Sequence, residues 1–222
     1  MGSPQRATLG GGERRQVLYG IVCDMKVYAV SKVYYSLLSE GVQAGIPAVF
    51  IQFGAHSPKV GRELAASDYE NVVPMRDRMT ANEVAKLARI CNFRCKWAVL
   101  IGYEPEAQLD ENLVDALRAV GFYIAIETAG TAALDQVSVD WLAISPEPGK
   151  ELRVKSADEI KYTIRYGDPI PLPPVPARNY VLLPALDGDQ LDKRDLEWCI
   201  QLVKDNPPWR LSVQHTRIRK FR

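Results

Sequence analysis

The sequence predicts an α/β fold in which a mostly parallel sheet curls into an open, partial (βα)6-type barrel. Short apolar runs typical of buried strands alternate with amphipathic stretches at helical spacing, which favours parallel strands joined by right-handed crossovers. Three successive strands end in turns rich in Gly, Thr, Ser and Pro, and such a sheet would bring these turns to one rim. About six strand–helix units are too few for a closed eight-stranded barrel. We therefore expect an open barrel with helices on its outside.

The central strand of this prediction is the apolar run at residues 97–101, which ends abruptly in Gly102-Tyr103-Glu104-Pro105. Further strands are predicted, in chain order, at residues 33–35, 47–53, 122–126, 141–144, 158–161, 180–183 and 211–214. The capping box Thr80-Ala81-Asn82-Glu83 predicts the start of a helix that runs to Cys91. Two more helices are predicted from apolar residues at helical spacing: Leu113, Leu117 and Val120, and, after the cap Asp192, Leu196, Cys199, Ile200 and Val203.

Four stretches are less regular. Residues 1–15 predict a disordered N-terminal arm, which leaves residues 16–222 as a single domain. The apolar residues between 17 and 28 fit either a strand or a helix. Residues 55–79 predict a loop with little regular structure, and residues 169–176 predict a proline-rich connector.

The composition narrows the functional classes. With 222 residues, 47% hydrophobic and 25% charged, the chain suits one soluble domain, and its net charge of +1 does not indicate a polyanion partner. No apolar run approaches the roughly 20 residues that span a membrane, and the start of the chain lacks a secretory signal. Four irregularly spaced cysteines indicate a reducing, intracellular compartment, either the cytoplasm or, if the N-terminal arm is a targeting segment, an organelle matrix.

Several motifs in register resemble those of a known family. They are, in chain order, Ser39-Glu40-Gly41, Gly45-Ile46-Pro47-Ala48-Val49-Phe50-Ile51, Gly102-Tyr103-Glu104-Pro105, Glu127-Thr128-Ala129-Gly130-Thr131, Ser145-Pro146-Glu147-Pro148-Gly149, Asp158-Glu159-Ile160-Lys161 and Trp209-Arg210-Leu211-Ser212-Val213-Gln214. Their order and spacing over residues 30–220 are similar to 7-carboxy-7-deazaguanine synthase, a radical S-adenosylmethionine family of queuosine and 7-deazaguanine biosynthesis. The resemblance implies a partial barrel with a [4Fe–4S] cluster on three cysteines, bound S-adenosylmethionine and a purine-like ligand.

The chain departs from the family pattern at positions that the resemblance assigns to ligands. His56 stands at the first cluster position, and residues 55–79 contain no cysteine, although such a cluster is held by thiolates. Gln52 replaces an arginine that meets the substrate carboxylate, Tyr103 replaces the second glycine of the S-adenosylmethionine turn, and Glu147 replaces a lysine. The vestigial ligand-site positions are Glu40, Gly41, Gln52, Gly102, Tyr103, Glu104, Thr128, Ser145, Lys161, Gln214 and His215, with His56 as the degenerate cluster position.

Two other groupings are predicted to be structural. Cys91 and Cys95 are spaced as C-x3-C, but they precede the strand at 97–101 and so belong to its amino end, away from the expected site. His56 and His215 are the only histidines, and two scattered histidines do not predict a metal site.

The pattern of retained and replaced residues predicts a catalytically inactive homologue, with no catalytic residue and no cofactor. Glycines and prolines that shape turns are kept, whereas ligand-binding residues are changed. We expect a structural or interaction module, within a larger assembly that includes RNA as one alternative. Two alternatives stay open: a protein that still holds a purine-like ligand or S-adenosylmethionine, and an enzyme of 7-deazaguanine biosynthesis. Such an enzyme would be either a radical S-adenosylmethionine lyase like the family or one with a new chemistry. Glu40, Glu104 and Glu127 are the candidate acid–base groups of one rim.

The partners predicted for this module are proteins, and no membrane is expected. A second copy of the chain, forming a homodimer, is an alternative partner. The basic residues at the C-terminus are interpreted as a solvated tail, with RNA or an acidic surface as alternative readings. These residues are Arg217, Arg219, Lys220 and Arg222.

Overall fold

The structure is a computed structural model that describes residues 13–18, 21–54, 78–135, 137–188 and 190–214, with side chains from residue 26 onward. Most of the predicted N-terminal arm, residues 55–77 of the predicted loop, His56, His215 and the basic tail lie outside the described residues. The first described element is a hairpin of two antiparallel strands, β1 (Glu13–Leu18) and β2 (Ile21–Lys26). The stretch at 17–28 is therefore largely strand, and Glu13–Leu18 overlaps the end of the predicted arm.

An eight-stranded sheet forms the body of the fold. Its strands in chain order are β3 (Val30–Leu37), β4 (Pro47–Phe53), β5 (Trp97–Gly102), β6 (Tyr123–Thr128), β7 (Trp141–Ile144), β8 (Ala157–Ile164), β9 (Ala177–Pro184) and, after the short hairpin β10 (Leu186–Asp187) and β11 (Gln190–Leu191), β12 (Arg210–Leu211). The order across the sheet is β12-β9-β8-β7-β6-β5-β4-β3. Only the pair β3–β4 is antiparallel, and every other pair is parallel. The predicted mostly parallel α/β fold is confirmed.

Four helices accompany the sheet: α1 (Ala81–Cys91), α2 (Pro105–Gln108), α3 (Glu111–Ala119) and α4 (Lys193–Asp205). The capping box at Thr80 is present, because the Glu83 amide donates to the Thr80 hydroxyl and the Thr80 amide donates to the Glu83 carboxylate. Asp192 caps α4 by accepting hydrogen bonds from the amides of Arg194 and Asp195. No helix in the described part of the chain is long and apolar enough to cross a membrane.

Two details of the predicted elements differ in the structure. The described residues that join β6 to β7, β7 to β8 and β8 to β9 form no helix, so the strict alternation of strands and helices is wrong in this half of the sheet. The predicted strand at 211–214 is limited to Arg210–Leu211, after which one further amide, that of Ser212, donates to the carbonyl of Leu182. Each of these three connections is 12 residues long, which is about the length that a parallel crossover needs even without a helix.

The sheet has two chemically different faces. On the outer face α1 and α3 pack against strands β4 to β6 through buried apolar residues such as Val84, Leu117, Ile51 and Leu100. On the inner face a smaller apolar cluster includes Tyr34 and Phe50. This face becomes polar toward β8.

The β3–β4 loop joins the two edges of the sheet. The amide of Gly41 in this loop donates to the hydroxyl of Ser212, which follows β12, over 2.9 Å. The side-chain amide of Gln214 donates to Glu40 over 2.6 Å. Because β3 and β12 are at opposite edges, these contacts show that the sheet curls, and the inner face is concave.

Candidate active site on the concave face

The three glycine- and proline-containing turns lie on one rim of the sheet. They follow β5, β6 and β7, which are parallel neighbours, so their carboxyl ends meet at the same edge. The amide of Tyr103 donates to the carbonyl of Phe53, and that of Ser145 donates to the carbonyl of Thr128. These backbone contacts tie the turns after β5 and β7 to the ends of the neighbouring strands β4 and β6. The predicted rim is confirmed.

A polar row crosses the concave face just below this rim. Gln52 of β4 is opposite Ile101 of β5, which by the register of β5 and β6 lies beside Glu127. Glu127 is opposite Ala143, and Ala143 is opposite Glu159 of β8. Residues opposite each other in a sheet share a face, so Gln52, Glu127 and Glu159 project from the same side.

Lys161 is the cation that two carboxylates of this site share. Its side chain is only 3% exposed, and its Nζ lies 2.9 Å from Glu40 Oε1 and 3.4 Å from Glu127 Oε1. Gln214 holds the other oxygen of Glu40. The chain thus brings one ammonium group and two carboxylates from three separate elements together on the concave face.

Burial and charge act in opposite directions on the pKa of Lys161. Burial alone would lower this pKa, but the carboxylates of Glu127 and Glu40 outweigh it, and the net shift is upward. Lys161 is therefore a fixed cation at neutral pH. It positions Glu40 and Glu127, and it is too strongly held as an ammonium group to act as a nucleophile.

Glu159 is a third carboxylate that sequence reasoning did not select as a site residue. It is buried, and burial raises its pKa, while Lys161 and the amide of Val42, which donates to both carboxylate oxygens at 3.3 Å, act against the shift. The signal was present in the sequence, since Glu159 and Lys161 alternate with apolar Ile160 in a predicted strand and so share a face.

Gly41 is required where the β3–β4 loop crosses this cluster. Its φ is +83°, and a Cβ at this position would overlap the carboxylate of Glu159. Only glycine allows the backbone to approach so closely in this conformation. The predicted site residue Gly41 therefore acts by shape, and it presents the amides of residues 41 and 42 to Ser212 and Glu159.

Gly102 has a similar backbone role in the turn after β5. Its φ is +109°, and a Cβ there would overlap the backbone of Phe53. The next residues, Tyr103 and Glu104, are exposed, and Glu104 has a left-handed backbone with φ of 41°. The side-chain amide of Gln108 stabilises this turn by donating hydrogen bonds to the carbonyls of Gly54 and Tyr103.

The remaining predicted site residues either stabilise a turn of the rim or lie outside the Lys161 cluster. The Thr128 hydroxyl accepts from the amide of Gly130 and so shapes its own turn. Glu104 is not part of the Lys161 cluster, so the predicted acid–base trio is reduced to Glu40 and Glu127. The charge reversal at Glu147 is offset within its own turn, because Lys150 Nζ lies 2.8 Å from the Glu147 carboxylate.

The described cysteines do not fit a cluster with three thiolate ligands. Cys95 lies at the amino end of β5, where its thiol contacts the carbonyls of Pro47 and Trp97, and burial raises the pKa of the nearby Cys91 thiol to about 11. Cys199 belongs to α4, where it is buried in a cluster with Ile164 and Leu182. Within the described ranges no group of three or more His, Cys, Asp and Glu side chains is arranged to hold a metal ion. No reaction step is therefore assigned to a cluster on these residues.

Known proteins resemble this chain along most of its length. A 7-carboxy-7-deazaguanine synthase of Burkholderia multivorans is 35% identical over 211 residues, which are 84% of this chain and 95% of that protein. Synthases of the same name from Bacteroides thetaiotaomicron and Bradyrhizobium diazoefficiens are 31% and 30% identical, and the matches cover 83% and 84% of this chain and 93% and 95% of those proteins.

The fold is also found in a solved structure. The crystal structure of QueE from Escherichia coli matches with a TM-score of 0.61 and 21% identity, over 85% of this chain and 94% of that chain. This likeness supports the partial-barrel fold. A scan against models of known protein families finds no match.

These relatives overturn two expectations. The prediction of a catalytically inactive module is wrong, because the relatives that match nearly their full length are all named as synthases. The prediction that no cofactor is used is wrong with it, because the resemblance that implies S-adenosylmethionine and a cluster is the one that the relatives support. With a relative 35% identical and several matched along more than nine-tenths of their length, the chain belongs to the 7-carboxy-7-deazaguanine synthase family.

Proposed function

We propose that the chain is an enzyme of 7-deazaguanine biosynthesis that holds a purine-like ligand on the concave face, against Glu127 and the Glu40–Lys161 pair. The observation that carries the proposal is the buried ammonium group of Lys161 between two carboxylates, at the end of the sheet where parallel α/β folds bind ligands. The names of the relatives supply the class of ligand.

The hydrogen-bonding capacity of the cluster suits the N–H edge of a purine. Both oxygens of Glu40 already accept from protein donors, Lys161 and Gln214. Glu127 is 28% exposed, and its second oxygen makes no hydrogen bond to a described residue. This carboxylate can accept hydrogen bonds from a ring N–H and from an exocyclic amine. Asp and Glu side chains that recognise nucleic-acid bases accept hydrogen bonds from amines in the same way.

Gln52 offers a second contact on the same polar row. Its Oε1 is buried and has no hydrogen-bond partner among the described residues. A buried acceptor without a donor costs free energy, which a ligand N–H would recover. Gln52 and Glu127 lie two strands apart in one row, so a planar ring over β5 can reach both.

The protein residues orient the ligand and keep their charges fixed. Lys161 remains protonated and holds Glu40 and Glu127 as carboxylates in place. Glu159 lies beneath the β3–β4 loop and fixes the loop through the Val42 amide. S-adenosylmethionine is the second ligand that the family implies, and the resemblance assigns it to the Gly102 turn on the rim, where Tyr103 is exposed.

Complementation tests the enzymatic proposal. A bacterial strain that lacks its own 7-carboxy-7-deazaguanine synthase is supplied with this chain, and queuosine in its tRNA is measured by mass spectrometry. We expect the wild type to restore queuosine, and Glu127→Gln and Lys161→Ala to abolish it. Lys155→Ala is the matched control, because Lys155 forms an exposed ion pair with Asp135 far from the site.

Binding separates ligand recognition from turnover. Calorimetry with 7-carboxy-7-deazaguanine should show a complex with the wild type and the Lys155→Ala variant, weakened by about tenfold or more in Glu127→Gln, which removes one charge-assisted hydrogen bond. Absence of queuosine with the wild-type chain would refute the enzymatic role. Equal binding by wild type and Glu127→Gln would refute the assignment of the site.

A further inference from the structure

A shallow apolar groove lies between α1 and α3, on the outer face and away from the candidate active site. It has a cavity volume of about 410 Å³. Its α3 side consists of Ala116, Ala119 and Val120, and its α1 side includes Ala85 and Ile90. Small side chains let another backbone approach closely, so a third helix can lie along this groove.

Large apolar side chains project beside the groove. Ile90 is 67% exposed in the last turn of α1, and Phe93, three residues later, is 71% exposed. Single exposed apolar residues are common on protein surfaces, but Ile90 lines a groove that is itself apolar, and Phe93 follows it after less than one helical turn of sequence. A few side chains that become fully buried usually carry most of the binding free energy of a protein interface, and Ile90 and Phe93 are the large apolar side chains that a partner could bury here.

The α1 side of the groove is basic, with Lys86 and Arg89 in its lining, whereas α3 carries the exposed Asp115 one residue before Ala116. No Asp or Glu occurs between Val84 and Tyr103, whereas this stretch contains Lys86, Arg89, Arg94 and Lys96. Arg94 lies over the Phe93 ring, with 5.3 Å to the ring centroid. Lys86, Arg94 and Lys96 are exposed and form no ion pair with any described residue. The α3 residues that line the groove are uncharged.

We propose that this surface docks an amphipathic helix of a protein partner, with its apolar face in the groove and Asp or Glu residues along its flanks. Charge complementarity selects this occupant. A second copy that pairs α1 with α1 across a two-fold axis would bring the two basic α1 sides together, which is unfavourable. RNA would satisfy the cations but has no apolar face to fill a groove lined with alanines.

Two synthetic helical peptides with the same apolar face test the proposal. One carries Glu on its polar face and the other Lys, and their affinity for the full chain is measured by fluorescence anisotropy at two salt concentrations. We expect the acidic peptide to bind about tenfold or more tightly than the basic one, with the difference shrinking as salt increases. The double variants Ile90→Ser/Phe93→Ser and Lys86→Glu/Lys96→Glu should each weaken the acidic peptide about tenfold or more.

Control variants and competitors show which results would overturn the proposal. Leu172 is 90% exposed in the proline-rich connector, so Leu172→Ser removes an exposed apolar side chain elsewhere and should leave binding unchanged. Equal loss with Leu172→Ser, or equal affinity for both peptides, would overturn the proposal. So would displacement of the peptide by a short RNA that binds more tightly. Self-association in ultracentrifugation that disappears with Ile90→Ser/Phe93→Ser would assign the surface to a second copy instead.

Discussion

Replacing Lys161 by Met is the perturbation that tests most directly how the concave face is held together. Methionine keeps most of the length of the side chain and removes its charge, so Glu40 and Glu127 lose their common cation. Removing one partner of a buried ion pair usually costs about 3–5 kcal/mol, because the remaining charge stays desolvated. Glu40 and Glu127 are 19% and 28% exposed and can recover some hydration, which places the expected loss near the lower end of that range.

The expected loss of about 3 kcal/mol corresponds to a fall in Tm of roughly 6–12 °C for a chain of this size. Urea unfolding followed by tryptophan fluorescence would measure it, with Lys155→Met as the control for an exposed pair, which should change stability by less than about 1 kcal/mol. Since the folded-state pKa of Lys161 is raised, its contribution is present below the unfolded pKa of about 10.4 and is lost only above it. The loss in Lys161→Met should therefore be constant from about pH 6 to pH 9.

A double-mutant cycle with Glu40→Gln distinguishes the pair from simple packing. If the ion pair carries the effect, the two substitutions together cost less than the sum of the single ones, with a coupling of about 1–3 kcal/mol. Purely additive losses, or a Lys161→Met variant no less stable than Lys155→Met, would refute the reasoning.

Three further predictions concern the loop, the buried carboxylate and a helix cap. Gly41→Ala should destabilise the fold by more than Gly45→Ala. Both glycines have positive φ, so each alanine costs about 1–2 kcal/mol, but only at position 41 does the new Cβ also overlap Glu159. Equal midpoints of urea unfolding for the two variants would contradict this. Because burial raises the pKa of Glu159, its contribution to stability is present below the unfolded pKa of about 4.3 and is lost as the pH rises through the folded pKa. At pH 7 the wild type therefore holds a buried charge that Glu159→Gln removes. The variant should be more stable than wild type at pH 7 and not at pH 4. Asp192→Ala should lose about 1 kcal/mol by thermal melting, since two amides at the start of α4 lose their acceptor, whereas the neighbouring exposed Lys193→Ala should be nearly neutral.

Local features of the fold could be predicted from the sequence because they depend on neighbours in the chain. The capping box at Thr80, the cap at Asp192 and the strand Trp141–Ile144 all occur where the residue pattern places them. The motifs in register also identified the family, which the relatives confirm. The prediction of a lost activity is wrong, because it rests on the replaced residues one by one, whereas the sequence alone does not show what the remaining side chains do together.

The site itself depends on contacts that only the tertiary structure decides. Period-two alternation places Glu159 and Lys161 on one face of a strand, but it does not say which distant groups meet that face. Glu40 and Gln214, 174 residues apart, meet there because the sheet curls and the β3–β4 loop crosses from one edge to the other. The charge of Lys161 is stabilised by partners brought in by this curvature, so its state at neutral pH is a property of the folded chain and not of the local sequence.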